Sequence, residues 1–459
     1  MLFRSNPGRI NMDLVNAQMS RSVLDKLIGY KVSPVLWKQF GNFHLSAGRV
    51  QSVVNKLIIE RENEITAFSS KQFFPLDGNF AVAALALDGS CDTNFETKDA
   101  ILDVMNQTAS GGITYTVSNV VESLTERKPA PPYITSSLQQ DASNKLGMNP
   151  ETCMRVAQQL YEAGLITYMR TDSTMLSDEI VGEIQKYVLE AYGETYFKRV
   201  RYASKAANAQ EAHEACRPTH ITTMSVMGID KMTSSHNRLY QMIWRRTVAS
   251  QMSPAKINIL KVRINGSGYQ PKAVGVADVA ASSTPAKPSK KKAAAAANAA
   301  SADTTPLVFT TKFENIVFDG FIAVYAKQKS EIQDANDEND DVDGTKPAQR
   351  LSYDEVKRIL KEGQPAKCTK LESMEKWSKP PHGRFNEAGL IKKLEELGIG
   401  RPATYAKMVG KVQERSYAEI KTVEPRIIAG ASVNWCPTDG IVETGIEIKM
   451  DGEIGRAHV

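Results

Sequence analysis

Tyr168, Arg170 and Asp172 alternate along Leu165–Ser173, and His213, Glu214 and Arg217 cluster in a second short segment. If 165–173 is extended, alternation puts Tyr168, Arg170 and Asp172 on one face. A tyrosine two residues before an arginine can act as a nucleophile beside a bound anion. A phenol titrates near ~10, so it needs positive charge close by to react as a phenolate at neutral pH. The same spacing also suits an ordinary strand tyrosine capped by a neighbouring charge. In Ala212–Thr219, a helical turn ended by Pro218 would put His213 and Arg217 on one side, four residues apart. Taken locally, a histidine four residues before an arginine is most often just a capped helix end.

The tyrosine needs an element to present it. Asn149 is a fitting N-cap and Pro150 suits the first helical position. Cys153, Ala157, Leu160, Tyr161 and Gly164 follow at helical spacing, and Gly164 can take the left-handed conformation that ends a helix. Two further stretches offer phosphate seats. Ser46 would cap a helix buried along Val50, Val53, Val54, Leu57 and Ile58, with Arg49 in its first turn and Gln51 and Lys56 beside the stripe. Asn386 would cap a helix carrying Leu390, Ile391, Leu394 and Leu397 and stopped by Gly398. Gly400-Arg401-Pro402 then opens a helix bearing Tyr405, Val409 and Val412, with Arg401 and Thr404 at its N-terminus. Free N–H groups at a helix start attract phosphate; a solvated face and a plain helical hairpin are the alternatives.

The remaining pattern predicts an α+β multidomain chain. A helix is expected over Asn11–Ile28, stopped by Gly29, with a turn at Ser33-Pro34. The period changes near Phe73, with β-type runs at Phe80–Leu87 and Ile113–Glu122, and Glu126–Pro132 reads as a boundary. Helices dominate from Ser136 to about Ser250, including Asp178–Tyr192 capped by Ser177. Strands resume at Lys256–Ile264 and Leu307–Lys327, and Pro425–Trp435 is irregular. The expected division is 9–68 helical, 69–127 β, 128–250 helical with the tyrosine, 251–377 β, and 378–452 helical. The β domain is therefore discontinuous, with a helical domain inserted. Residues 271–306, rich in Ala, Lys, Ser and Pro, and the acidic stretch 331–344 read as flexible insertions.

At 459 residues, 42% apolar and 24% charged, the chain has room for several domains around substantial cores. No apolar run approaches the ~20 residues that span a bilayer, so no membrane partner is expected. A net charge of +5 permits a polyanion without demanding one. The five cysteines form no CxxC pair, which argues against a zinc ribbon or a disulfide framework. Leu2-Phe3-Arg4-Ser5 and Ile454–Val459 can be encoded by the two strands of a common sequencing adapter, so neither terminus is expected to be native. The source nucleotide sequence tests this.

Four blocks carry a resemblance. Tyr133–Ser173 with ITYMRTDST at 166–174, AHEACRPT at 212–219, SAGRVQSV at 46–53 and RFNEAGLIKKLEELGIGRPATYAKMV at 384–409 resemble the bacterial-type type IA DNA topoisomerases, topoisomerase I. Met169, where the topoisomerase III branch has proline, and the AHEACRPT form favour the topoisomerase I branch. Cys216 stands where the family has isoleucine, and Ser416 where it usually has glycine. The likeness covers about residues 9–265 and 378–415.

The resemblance implies a type IA core: a β arch, an inserted helical domain carrying the tyrosine, and a single-strand groove built from both helical ends. The family's nucleophile falls on Tyr168, its phosphate-contacting histidine and arginine on His213 and Arg217, with Arg170 stabilising charge and Asp172 positioning. Arg49, Gln51, Lys56, Glu214, Arg384, Arg401 and Thr404 are the expected DNA contacts. The implied activity cuts and reseals one strand through a 5′-phosphotyrosine and relaxes negative supercoils without ATP, acting as a monomer on single-stranded regions of DNA. Magnesium is expected through an N-terminal Toprim domain, whose acidic cluster is not found ahead of Asn11; no zinc is expected. The chain alone is accordingly expected to be inactive in relaxation. A non-catalytic single-strand-binding fragment and a topoisomerase III-like decatenase are the alternatives. The compartment is open: a bacterial nucleoid or cytoplasm, or an organelle or nucleus if the alanine- and lysine-rich insertion marks a eukaryote.

Overall fold

The computed structural model describes residues 10–48, 51–202, 213–271, 307–326, 353–421, 426–450 and 456–458. Arg49 and the two expected flexible insertions lie outside the described residues, apart from Pro271 at the first insertion's edge.

Strands β1 (Leu76–Val82), β2 (Leu85–Cys91), β3 (Thr114–Arg127), β4 (Ala255–Ser267), β5 (Leu307–Phe318), β6 (Pro365–Met374), β7 (Arg426–Cys436) and β8 (Gly440–Met450) form one antiparallel sheet. Its order is β8-β7-β6-β1-β2-β5-β4-β3, and β3 also pairs with β6 through Tyr115↔Ala366. Six strands therefore close on themselves, which leaves few open edges, and the β7–β8 hairpin extends from β6. Alternate residues fill the interior: Leu76, Phe80 and Val82 of β1 face Leu87, Val117, Leu260 and Phe309. The rings of Phe80 and Phe309 meet edge-on at 4.9 Å. Gly78 is required there, because a Cβ would come within 2.8 Å of the Phe80 ring.

The last residue of β3, Arg127, pairs with the first of β4, Ala255. The chain between them leaves and returns at one point and builds a second unit from four helices with their own core. In chain order the helices are α1 (Met12–Phe40), α2 (Gln51–Ala67), α3 (Lys98–Ala109), α4 (Thr135–Leu146), α5 (Pro150–Glu162), α6 (Asp178–Ala191), α7 (Ser234–Ser250), α8 (Tyr353–Ile359), α9 (Glu387–Glu396) and α10 (Tyr405–Glu414). Leu138, Leu160, Ile166, Ile184, Tyr240 and Ile243 pack between α4, α5, α6 and α7. At the junction Arg246 donates to the Pro131 carbonyl (2.7 Å) and lies 4.8 Å from the Tyr133 ring, tying the exit helix to the entering chain. A third core joins Val54 and Ile58 of α2 to Leu390, Ile391 and Leu394 of α9 and to Met408, Val409 and Val412 of α10. Contacts of α4 with α9 and of α5 with α10 bring this third unit against the second.

Several expectations are corrected. Gly29 and Pro34 do not end the first helix; α1 runs through both, and Gly41 at φ 63° terminates it, donating to the Trp37 carbonyl (2.8 Å). A proline removes one ladder bond, whereas a left-handed glycine turns the chain away. The apolar residues Leu14, Val23, Leu24 and Leu27 of α1 are exposed. The expected Ser46 cap falls at a helix start, Arg49-Val50, that lies outside the described residues; the Ser46 N–H donates to the Tyr417 hydroxyl (2.9 Å). Arg401–Thr404 is a turn ahead of α10, closed by a 2.9 Å bond from the Arg401 N–H to Thr404 Oγ1. Residues 426–435, expected to be irregular, form β7, and 426–450, placed with the helical end, are the β7–β8 hairpin, paired to β6 from Leu371 to Met374.

Candidate active site

α5 starts as its sequence requires. Asn149 Oδ1 accepts from the Thr152 N–H (2.8 Å), Pro150 occupies the first turn, and Cys153, Ala157 and Leu160 are buried. Gly164 then takes φ 71° and releases the chain toward Tyr168. Neither Leu165–Ser173 nor His213–Thr219 is the element that spacing suggests. The first is irregular rather than a strand, and the second is extended rather than a helical turn. Each supplies what the other lacks. The Thr167 N–H donates to the Arg217 carbonyl (2.9 Å), the Thr219 N–H to the Leu165 carbonyl (3.0 Å), and the Arg217 N–H to Thr167 Oγ1 (3.0 Å). An Ile166↔Pro218 bridge lies between these bonds.

A third element braces both. Thr135, at the start of α4 and fully buried, donates from Oγ1 to the Met169 carbonyl (2.7 Å) and accepts from the Thr171 N–H (2.9 Å). Its own N–H donates to the Thr171 carbonyl (2.9 Å), and the Cys216 N–H donates to Tyr133 (2.9 Å). Buried backbone groups need partners, and here distant threonines provide them.

Tyr168 emerges half-buried between two rings: Tyr161 at 5.3 Å and His213 at 6.0 Å, centroid to centroid. Arg217 lies one hydrogen-bonded step away. Its guanidinium is clasped by Glu214, with Nε–Oε2 2.6 Å and Nη2–Oε2 2.5 Å, and Nη1 donates to the Pro218 carbonyl (2.8 Å). Arg170 is exposed and lines a cleft of about 790 Å³ between α5 and α10, together with Arg155, Lys407 and Lys411, Glu151 and Glu414. Asp172 is half-buried and close enough to Tyr405 to act on its hydroxyl. That hydroxyl is pushed up mainly by burial, then by Glu395, with Arg401 opposing and Asp172 adding to the rise.

Neighbouring groups make poorer nucleophiles. Burial pushes the Tyr133 phenol far up, reinforced by Asp141, whose Oδ2 accepts its proton (2.5 Å). The Cys216 thiol, fully buried near Cys153, is also raised by burial and stays protonated.

The expected DNA contacts divide. Arg401 and Lys56 are exposed, although Lys56 lies 3.7 Å from Glu60. Arg384 is ion-paired: its Nε holds Glu62 of α2 at 2.8 Å, with both side chains mostly covered. Gln51 reaches the Ser46 carbonyl (3.4 Å), and the Thr404 hydroxyl is used inside its turn. Glu214 is spent on Arg217. The spacing did not single out Thr135, Thr167, Arg155, Lys407 or Lys411. The two threonines sit inside the noted blocks, but only their long-range bonds reveal them.

A closed β unit, an inserted helical unit and a tyrosine beside histidine and arginine define the class, and sequence comparison agrees. The family described as DNA topoisomerase matches residues 9–434. The chain belongs to this family, the type IA DNA topoisomerases. It is 36% identical over 441 residues to the prokaryotic-type DNA topoisomerase 1 of Acanthamoeba polyphaga mimivirus, covering 91% of this chain and 46% of that protein. Full-length topoisomerase I of Thermotoga maritima superposes with a TM-score of 0.63 at 29% identity, covering 91% of this chain and 59% of that one. The chain thus spans about half the length of the curated relative.

Proposed function

We propose that this chain carries the nucleophile and the phosphate-orienting groups of a reaction that cuts and reseals one DNA strand. Tyr168 Oη attacks a phosphodiester in single-stranded DNA. The Oη–P bond forms and the P–O3′ bond breaks, leaving a 5′-phosphotyrosine. The phenol proton passes to His213 or water, and the departing 3′-oxygen takes up a proton. One ester replaces another, so resealing by the reverse step needs no ATP. Arg170 and Arg217 stabilise charge on the non-bridging oxygens; losing such a donor typically costs ~10²–10³ in rate. Asp172 positions rather than transfers protons. Separation of α4 from α9 and of α5 from α10 would open a passage for the second strand; relaxation of negative supercoils, by a monomer, is assigned to the longer protein and not to this chain alone.

The family implies magnesium. Among the described residues no group of three or more His, Cys, Asp or Glu side chains is placed to hold a metal ion. These residues do not fit one, and no step above runs through it.

The observation that carries this reading is the Thr167–Arg217 pairing, which sets Tyr168 beside both His213 and Arg217. The test is a single-stranded oligonucleotide labelled at either end. A 5′-phosphotyrosine transfers a 3′-end label to the protein and not a 5′-end label. Transfer of the 5′-end label alone would contradict it, and binding without transfer would favour a single-strand-binding module.

A further inference from the structure

We propose that Glu214 is a positioning residue for Arg217 and makes no contact with DNA. One oxygen, Oε2, accepts from Nε (2.6 Å) and from Nη2 (2.5 Å). Nη1 is held by the Pro218 carbonyl at 2.8 Å, and the backbone beneath is locked to Thr167 in both directions. The Arg217 side chain is 13% exposed and that of Glu214 33%. A long, rotamer-rich side chain is thereby fixed before any ligand arrives, which lowers the entropy lost when a phosphate docks.

Glu214 takes the side edge of the guanidinium, and Pro218 takes one proton of Nη1. One N–H on each terminal nitrogen remains to donate to an anion. A carboxylate has no proton to offer a phosphodiester and repels it. Beside Arg217 it offsets part of the positive charge that would otherwise draw a phosphate to the site. Orientation favours the chemical step while cancellation weakens ground-state binding. The two effects have opposite signs, and a residue that merely stabilised the fold would not separate them.

This rests on the strand-cleavage reading above, and the experiment keeps the two apart. Glu214→Gln and Glu214→Ala are compared with the parent chain, after thermal melting shows that they fold. One arm measures single-stranded oligonucleotide affinity against salt, in a Tyr168→Phe background so that cleavage does not interfere. The other measures the rate of 3′-label transfer at saturating oligonucleotide.

Both variants are expected to bind no more weakly than the parent, with a salt slope steeper by about 0.7, the value for one added phosphate contact on a single strand. Glu214→Ala is expected to lose about tenfold or more in transfer rate, as misplacement of a reacting group does. Glu214→Gln keeps an acceptor for the guanidinium and is expected to recover most of that rate while keeping the steeper slope. Weaker binding by Glu214→Ala with an unchanged transfer rate would make Glu214 a DNA contact and overturn the proposal. An unchanged slope in both variants would overturn it too. If the parent transfers no label, the cleavage reading fails, and the slope alone decides whether Glu214 neutralises Arg217.

Discussion

The segment around Tyr168 and the helices α2, α9 and α10 were both expected to hold DNA, and the structure treats them oppositely. Around Tyr168 the backbone is irregular, yet it is braced from two directions, by Thr135 and, through Thr167, by the 215–219 stretch. In the other region the side chains sit at the ends of regular helices: Arg384, ahead of α9, pairs with Glu62, and the Thr404 hydroxyl is used in the turn ahead of α10. Precision at Tyr168 is built where the chain leaves regular secondary structure and side chains replace the missing ladder. Arg401 of that turn and Lys407 and Lys411 of α10 are exposed.

The brace is where the comparison breaks most visibly. Thr135→Val keeps shape but strands the Met169 carbonyl and the Thr171 N–H, both buried. It is expected to cost about 2–3 kcal/mol by denaturant melting and to slow label transfer while leaving oligonucleotide affinity nearly unchanged. An equal loss of affinity would mean that the brace serves binding. Arg384→Met should cost about 1–2 kcal/mol, because it leaves Glu62 mostly covered and unpaired. The salt slope of binding should not move, and a shallower slope would return Arg384 to the DNA contacts.

A third substitution has the opposite sign. Gln139 of α4 is fully buried, and neither of its amide atoms has a hydrogen-bond partner among the described residues; the Ser136 hydroxyl, one turn away, is in the same state. Since α4 touches both regions, Gln139→Met is expected to raise stability by about 1 kcal/mol. A lower melting temperature would show that the amide is satisfied.

The smallest effect is one of pH. Burial holds His236 of α7 below its ordinary 6.5. Its Nδ1 accepts from the Thr233 N–H (3.1 Å), so the neutral ring presents Nε2–H to Gln159 of α5 (2.9 Å). The folded state binds fewer protons here than the unfolded one, so this contribution is complete above the unfolded value and falls as pH drops below it. Cooling of the melting midpoint between about pH 7.5 and about pH 5.5 should be slightly less in His236→Gln than in the parent.

Much of this was legible where the determinants are local. Asn149-Pro150 and Asn386 cap the helices they announce, and the change of period near Phe73 marks the β unit. Arg127 and Ala255 pair across the inserted helices that the boundary at Glu126–Pro132 suggests. What failed depends on partners far away in sequence. Alternation at 165–173 resembles a strand, but Thr135 claims the carbonyls of Met169 and Thr171. The four-residue spacing of His213 and Arg217 resembles a helical turn, but Tyr133 and Thr167 pull that segment straight. Arg384 resembles a groove cation until Glu62, 322 residues earlier, is placed beside it.

The central claim is that Tyr168 itself is the nucleophile. Trypsin releases Val156–Arg170, which carries both Tyr161 and Tyr168, the two rings that meet edge-to-face. Mass spectrometry of that peptide after label transfer, with fragmentation to place the added nucleotide, separates them directly. The account predicts the modification on Tyr168 and its complete loss in Tyr168→Phe. Modification on Tyr161, or on any peptide other than Val156–Arg170, would contradict it.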